Sequence, residues 1–148
     1  MAVRDLGAAV IGLRMGRAHL EGYRRNNVRI VAVCDTDPVT LESVRMEFGV
    51  PYAAQDYREV IARPDVDIVS IATPDFVHAE QAIAALRAGK HVLCEKPMTL
   101  TLEEALQIVA AVRETGRKFM VGQVCRFAPG FVLAREMIRR GEIGALFF

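Results

Sequence analysis

The sequence predicts an α/β protein built on a doubly wound, mostly parallel sheet. Three observations carry that expectation. Short apolar, β-branched runs alternate with helical patterns along the chain, as in successive βα units. Helix breaks at Asn26-Asn27, Gly49, Pro64, Gly89 and Gly116 separate those units. Finally, the residues able to carry chemistry fall at the carboxyl ends of the strand runs, where open α/β sheets bind ligands.

At 148 residues the chain has the length of one compact domain. Nineteen Lys and Arg balance eighteen Asp and Glu, for a formal charge of +1. With no long block of one sign, this argues against nucleic acid or an anionic membrane as the partner. Arg24-Arg25 and Arg139-Arg140 read as solvated helix ends. Cys34, Cys94 and Cys125 are odd in number and form no CxxC, which points to a reducing cytoplasm rather than a disulfide framework. The N-terminus lacks a signal-peptide layout, and no apolar run is long enough to span a bilayer.

In chain order, strands are expected over about residues 8–11, 28–34, 52–53, 68–71, 91–94 and 119–121. The first helix is expected over 16–25. The second starts at Asp37-Pro38, where an aspartate cap precedes a proline whose missing N–H costs little, and it ends at Phe48-Gly49. Asp56 caps a helix through Ile61, and a long helix follows Thr73-Pro74-Asp75 to Ala88 with Gly89 beyond it. Thr101-Leu102-Glu103-Glu104 matches a capping box. The helix it opens carries an apolar stripe at Leu102, Ala105, Leu106, Val109 and Val112. A helix over 129–140, a turn over 141–144 and a strand from Ala145 to Phe148 complete the reading.

The stretch Gly12-Leu13-Arg14-Met15-Gly16 resembles the glycine turn that receives a pyrophosphate at a helix N-terminus, but it has two glycines where G-x-G-x-x-G has three. Asp35 closes the second strand about twenty residues on, where a carboxylate accepts hydrogen bonds from an adenosine ribose diol. Its plainer reading is a turn or cap aspartate. A cation at Arg14 suits a pyrophosphate or a 2′-phosphate, or points to solvent. Lys96, between Glu95 and Pro97, is the candidate catalytic side chain: an ammonium there can hydrogen-bond a substrate hydroxyl or carbonyl. The competing reading is a solvent lysine paired with Glu95. The Lys96-Pro97 bond can be cis. Ala72, Thr73, Pro74 and Gln123 complete the strand-end set. His78 is either a ligand contact or a core histidine, and His19 and His91 read as structural. No His, Cys and carboxylate set has metal spacing, and no Ser or Cys stands in a nucleophile motif.

Taken in order, Ala9-Val10-Ile11-Gly12…Gly16-Arg17-Ala18-His19, Val31-Ala32-Val33-Cys34-Asp35, Ile71-Ala72-Thr73-Pro74…His78, the run from Gly89 to Pro97, and Val121-Gly122-Gln123…Arg126-Phe127…Pro129 resemble the N-terminal part of the Gfo/Idh/MocA oxidoreductases. The resemblance covers essentially the whole chain, and Glu95-Lys96-Pro97 is its most specific segment. It implies a Rossmann-like NAD(P)-binding domain over 1–124, and a junction helix with the first strand of a truncated second α/β domain over 125–148. It also implies hydride transfer between a nicotinamide cofactor (NAD, with NADP possible) and a sugar, cyclitol or polyol. By resemblance, Lys96 contacts substrate and nicotinamide, and Asp35 binds the adenosine ribose. Thr73, Pro74, His78 and Glu95 line the cofactor cleft, and Gln123 and Arg126 lie near the nicotinamide. Two departures stand out. The glycine turn is one residue short, or carries Arg14 in place of its middle glycine. In addition, the chain stops where the substrate domain would begin, so the chain alone is expected to bind dinucleotide without turning over. The alternatives are a dinucleotide-binding sensor or assembly module, and a Rossmann-like protein with another ligand. Self-association through the C-terminal segment is expected.

Overall fold

The computed structural model describes residues 5–145 and 147. Six strands form one sheet: β1 (Gly7–Ile11), β2 (Arg29–Cys34), β3 (Tyr52–Ala54), β4 (Ile68–Ile71), β5 (His91–Cys94) and β6 (Phe119–Val121). Their order is β3-β2-β1-β4-β5-β6, and every neighbouring pair is parallel. The helices are α1 (Leu13–Arg25), α2 (Pro38–Phe48), α3 (Tyr57–Ile61), α4 (His78–Arg87), α5 (Leu102–Thr115) and α6 (Pro129–Arg139). The doubly wound α/β expectation holds.

The strand period of two sorts the core onto the two faces. On β1, Ala9 and Ile11 join a cluster with Val60 and Ile61 of α3, Ala82, Ala85 and Leu86 of α4, and Ile108 and Ala111 of α5. Val10, pointing the other way, packs with Leu13 and Leu20 of α1 and Leu41 and Val44 of α2. Over β5 and β6 this second face is thinner: Leu93 is half-buried and Met120 is 50% exposed.

Local signals placed most helix ends. Asp37 accepts from the Val39 and Thr40 amides and caps α2, whose C-cap Gly49 is left-handed. Asp56 caps α3 through the Arg58 amide, and Thr101 and Glu104 form the reciprocal capping box of α5.

Four expectations need correction. Helix α1 begins at Leu13, three residues before the expected start, because Gly12 alone makes the turn. The helix after Thr73-Pro74 opens as a 3₁₀ turn over Asp75–Val77 before α4. Helix α5 buries Ile108 and Ala111 against α4, whereas Leu102, Leu106 and Val109 of the expected stripe are exposed. At the C-terminus, Ala145 and Phe147 are not in a strand, and Leu146 and Phe148 lie outside the described residues.

The α5 correction is testable. Ile108 is 1% exposed, so Ile108→Ala removes about 3 kcal/mol of stability through lost burial and a cavity. Leu106, 59% exposed, gives a change within about 0.5 kcal/mol when replaced by Ala. Urea denaturation of both variants measures the difference.

Candidate functional site

The parallel ladder continues one residue past the strands and sets a row along the sheet's carboxyl edge. Gly12 N–H donates to the Cys34 carbonyl (2.8 Å) and Ala72 N–H to Ile11 (2.8 Å). Glu95 N–H donates to Ile71 (2.8 Å) and Gly122 N–H to Cys94 (2.7 Å). Strand order reverses direction between β1 and β4, and a cleft of about 440 Å³ opens at that switch point.

Its walls come mainly from three strand ends. Ile11 to Arg14 run off the end of β1, Cys34 to Asp37 run off β2, and Ala72, Thr73 and Pro74 follow β4. Of the residues singled out in the sequence, the cleft thus gathers Gly12, Leu13, Arg14, Asp35, Ala72, Thr73 and Pro74. It also recruits Gln55, Tyr57 and Phe76, which sequence reasoning missed. Phe76 is 68% exposed beside the cleft, and its adjacency to Thr73-Pro74 was the only available signal.

The turn is tight. Gly12 has φ +84°, and a Cβ there would lie 2.6 Å from the Ala72 carbonyl oxygen and 2.7 Å from the Thr73 nitrogen. Only glycine fits both the dihedral and the gap. Gly16 does a different job: a Cβ on it would meet Val10 Cγ1 at 2.6 Å, so its bareness lets α1 lie close on β1. Met15, 62% exposed on the first turn of α1, is not among the cleft-lining residues.

Asp35 ties two strand ends together. Its Oδ2 accepts the Leu13 N–H (2.8 Å) and its Oδ1 the Asp37 N–H (2.9 Å). A carboxylate oxygen has two lone pairs, so each oxygen retains one acceptor position. The Asp37 carboxyl is held below its usual range, first by the Thr40 hydroxyl and then by the Val39 and Thr40 amides. The cleft therefore presents two carboxylates and one guanidinium, that of Arg14.

The Lys96 group lies along the same edge, at the ends of β5 and β6. Lys96 is exposed and its bond to Pro97 is cis. Gln123 and Arg126 are exposed, Arg126 in a 3₁₀ turn over Val124–Phe127. His78 is placed differently from expectation. It is 1% exposed and is not among the cleft-lining residues, and its ring nitrogens lie at hydrogen-bond distance from the carbonyls of Pro97 (2.8 Å) and Thr73 (2.9 Å). Each nitrogen faces a protein carbonyl, so the buried ring turns neither toward the cleft. The two buried thiols offer no nucleophile: burial pushes Cys34 and Cys94 up to about 12, and a thiol, unlike a thiolate, is unreactive. Among the described residues no His, Cys, Asp and Glu cluster could hold a metal, and no helix is long and apolar enough to cross a membrane.

Comparison with known proteins agrees with this geometry. The family described as "Oxidoreductase family, NAD-binding Rossmann fold" matches residues 6–123. Levoglucosan dehydrogenase of Pseudarthrobacter phenanthrenivorans is 38% identical, over 77% of this chain and 29% of its own. The scyllo-inositol 2-dehydrogenase (NAD(+)) of Bacillus subtilis is 37% identical, over 92% of this chain and 41% of its own. A crystal structure of scyllo-inositol dehydrogenase from Lactobacillus casei, with bound cofactor NAD(H) and scyllo-inositol, superposes with a TM-score of 0.88. Its identity is 28%, covering 94% of this chain and 42% of that one. The chain thus spans well under half the length of these relatives. By its sequence, its sheet order and the cleft at its switch point, it belongs to the GFO_IDH_MocA oxidoreductase family, as an NAD-binding Rossmann domain.

Proposed function

We propose that this chain is the NAD-holding part of a dehydrogenase that moves a hydride between a sugar, cyclitol or polyol and the nicotinamide cofactor. The observation that carries the reading is the continuous edge from the Gly12 turn and Asp35, past Ala72, to Glu95 and Lys96. The site suits a dinucleotide. Gly12 keeps a gap that a Cβ would fill, and α1 starts there with its Leu13 amide on Asp35 and the amides that follow left to an anion. Asp35 retains acceptor positions for a ribose diol, and Thr73, Pro74 and Phe76 wall an adenine. Two carboxylates against one guanidinium disfavour a 2′-phosphate, so NAD is preferred to NADP.

Bound NAD would supply a two-electron hydride acceptor at its nicotinamide. The chain's own contribution to the reaction is Lys96. In the oxidation direction the neutral amine of Lys96 accepts the hydroxyl proton, becoming the ammonium, as the carbinol carbon gives up its hydride; in the reverse direction the ammonium donates a hydrogen bond to the carbonyl oxygen and returns that proton. Gln123 and Arg126 border this end. The domain boundary is proposed near residue 124. The exposed apolar residues of β6 and α6, among them Met120, Phe131 and Leu133, are proposed to be covered in the assembled protein by the rest of the polypeptide and a second copy. Three free cysteines favour a reducing cytoplasm.

The short turn favours a second reading, a module that binds dinucleotide without turnover. Titration with NADH and NADPH, followed by nicotinamide fluorescence, tests the binding claim. NADH is expected to bind at least ten-fold tighter than NADPH. Asp35→Ala weakens NADH about ten-fold, or about 1.4 kcal/mol, and narrows that preference. Equal affinity for inorganic pyrophosphate and indifference to Asp35→Ala would rule out a dinucleotide site. Binding by the complete gene product without oxidation of any polyol in a panel would leave the module.

A further inference from the structure

We propose that His19 and His78 are positioning residues for Lys96, each holding one of the two residues that flank it. The inference rests on the reading of Lys96 as the reactive side chain. Among the described residues no side chain bonds the Lys96 ammonium, and the residue is exposed. The direction of its flexible stem is therefore set by the backbone of Glu95-Lys96-Pro97. That backbone is gripped from both faces of the sheet.

From the α1 face, His19 Nε2 lies 3.1 Å from Glu95 Oε1. The other oxygen of Glu95 accepts the Lys96 N–H at 3.2 Å, so the carboxylate joins the imidazole to the lysine's own backbone. The pair is largely buried, with side chains 11% and 15% exposed. Gly122 makes room for it: a Cβ there would stand 3.2 Å from Glu95 Oε1. The ring's other nitrogen, Nδ1, is buried with no partner, the one such side-chain atom among the described residues. Buried polar atoms are nearly always satisfied, so an orphan calls for an explanation. Holding Nε2 on Glu95 supplies one, which a merely packed core histidine does not.

From the α4 face, His78 turns Nδ1 to the Pro97 carbonyl and Nε2 to the Thr73 carbonyl. A carbonyl only accepts, so a ring with one N–H bonds one of the two and a ring with both bonds both. His78 thus stands between the Thr73 carbonyl of the cofactor wall and the carbonyl of the residue after Lys96, and grips Pro97 when Nδ1 carries a proton. His19 links the same turn to the helix that starts at the glycine turn. Both histidines act through a neighbour, with neither ring offered to a ligand.

The test uses the complete gene product with His19→Leu, His19→Gln, His78→Leu and His78→Gln. Three quantities are read: kcat on a polyol panel, NADH affinity by fluorescence, and amide hydrogen exchange at Lys96 relative to the β1 and β4 amides. The Leu variants are expected to lose ten-fold or more in kcat, to keep NADH affinity within two-fold, and to exchange the Lys96 amide faster with strand amides unchanged. The Gln variants, which restore an N–H donor, recover part of the kcat. Unchanged kcat and exchange overturn the proposal. So does NADH affinity that falls in step with kcat, or faster exchange throughout the strands. Should His78→Leu fail to fold, the His19 pair decides. Lys96→Ala with unchanged kcat overturns the reading of Lys96 itself, and the exchange data then judge the two grips by themselves.

Discussion

Lys96→Ala is expected to lower kcat of the complete gene product about 10³-fold while NADH affinity stays within about two-fold, because a positioned acid–base group contributes about 10²–10⁴. The split follows from where the lysine stands. The cleft at the Gly12 turn, Asp35 and Thr73-Pro74 lies over β1, β2 and β4, whereas Lys96 follows β5 and is not among the cleft-lining residues. Losing its side chain therefore leaves the cleft proposed to hold the adenosine and pyrophosphate unchanged. Lys96→Arg retains the positive charge but swaps a compact ammonium for a planar fork that does not release a proton near neutral pH. It is expected to stay within about ten-fold of the alanine variant. Stopped-flow measurement of NADH formation, with parallel fluorescence titration, separates chemistry from binding. A kcat for Lys96→Ala equal to that of the parent would remove the lysine from the mechanism.

Much of this site was legible in the sequence because it depends on strand ends. Once residues 8–11, 28–34, 68–71 and 91–94 read as strands, Gly12, Asp35, Ala72 and Glu95 had to share one edge, whatever the details of packing. Caps were equally local. Asp37, Asp56 and Thr101 each bond amides two or three residues away. What escaped the sequence depends on contacts between distant residues. The start of α1 at Leu13 coincides with a bond from its N–H to Asp35, twenty-two positions on. The buried face of α5 turns on Ile108 and Ala111 meeting α4, and the apolar residues Leu102, Leu106 and Val109 made the opposite face look as good. His78 stood in the right part of the chain for a ligand contact. Only the fold shows the Pro97 carbonyl, nineteen residues away, already on its ring.

Gly12→Ala is expected to remove about 3 kcal/mol of stability and, in whatever fraction folds, to abolish measurable NADH binding. A side chain at φ +84° carries strain of about 1–3 kcal/mol. The atoms its Cβ would meet are backbone of Ala72 and Thr73, which cannot swing aside as a side-chain tip would. Relief requires β1 and β4 to part at the point where the cleft opens. Gly22, also in α1, has open space around it, and a Cβ there would meet nothing within 4 Å. Gly22→Ala is therefore the control, gaining up to about 1 kcal/mol from helix propensity. Thermal melts of the two variants report opposite shifts. The converse change tests the missing residue. A glycine inserted between Leu13 and Arg14 recreates G-x-G-x-x-G and gives the backbone a second bare position facing the pyrophosphate. NADH affinity is expected to rise about ten-fold, equivalent to about 1.4 kcal/mol. If affinity falls instead, the short turn is adapted to its ligand, and Arg14, one residue into α1 and lining the cleft, is the group that replaces the glycine contact.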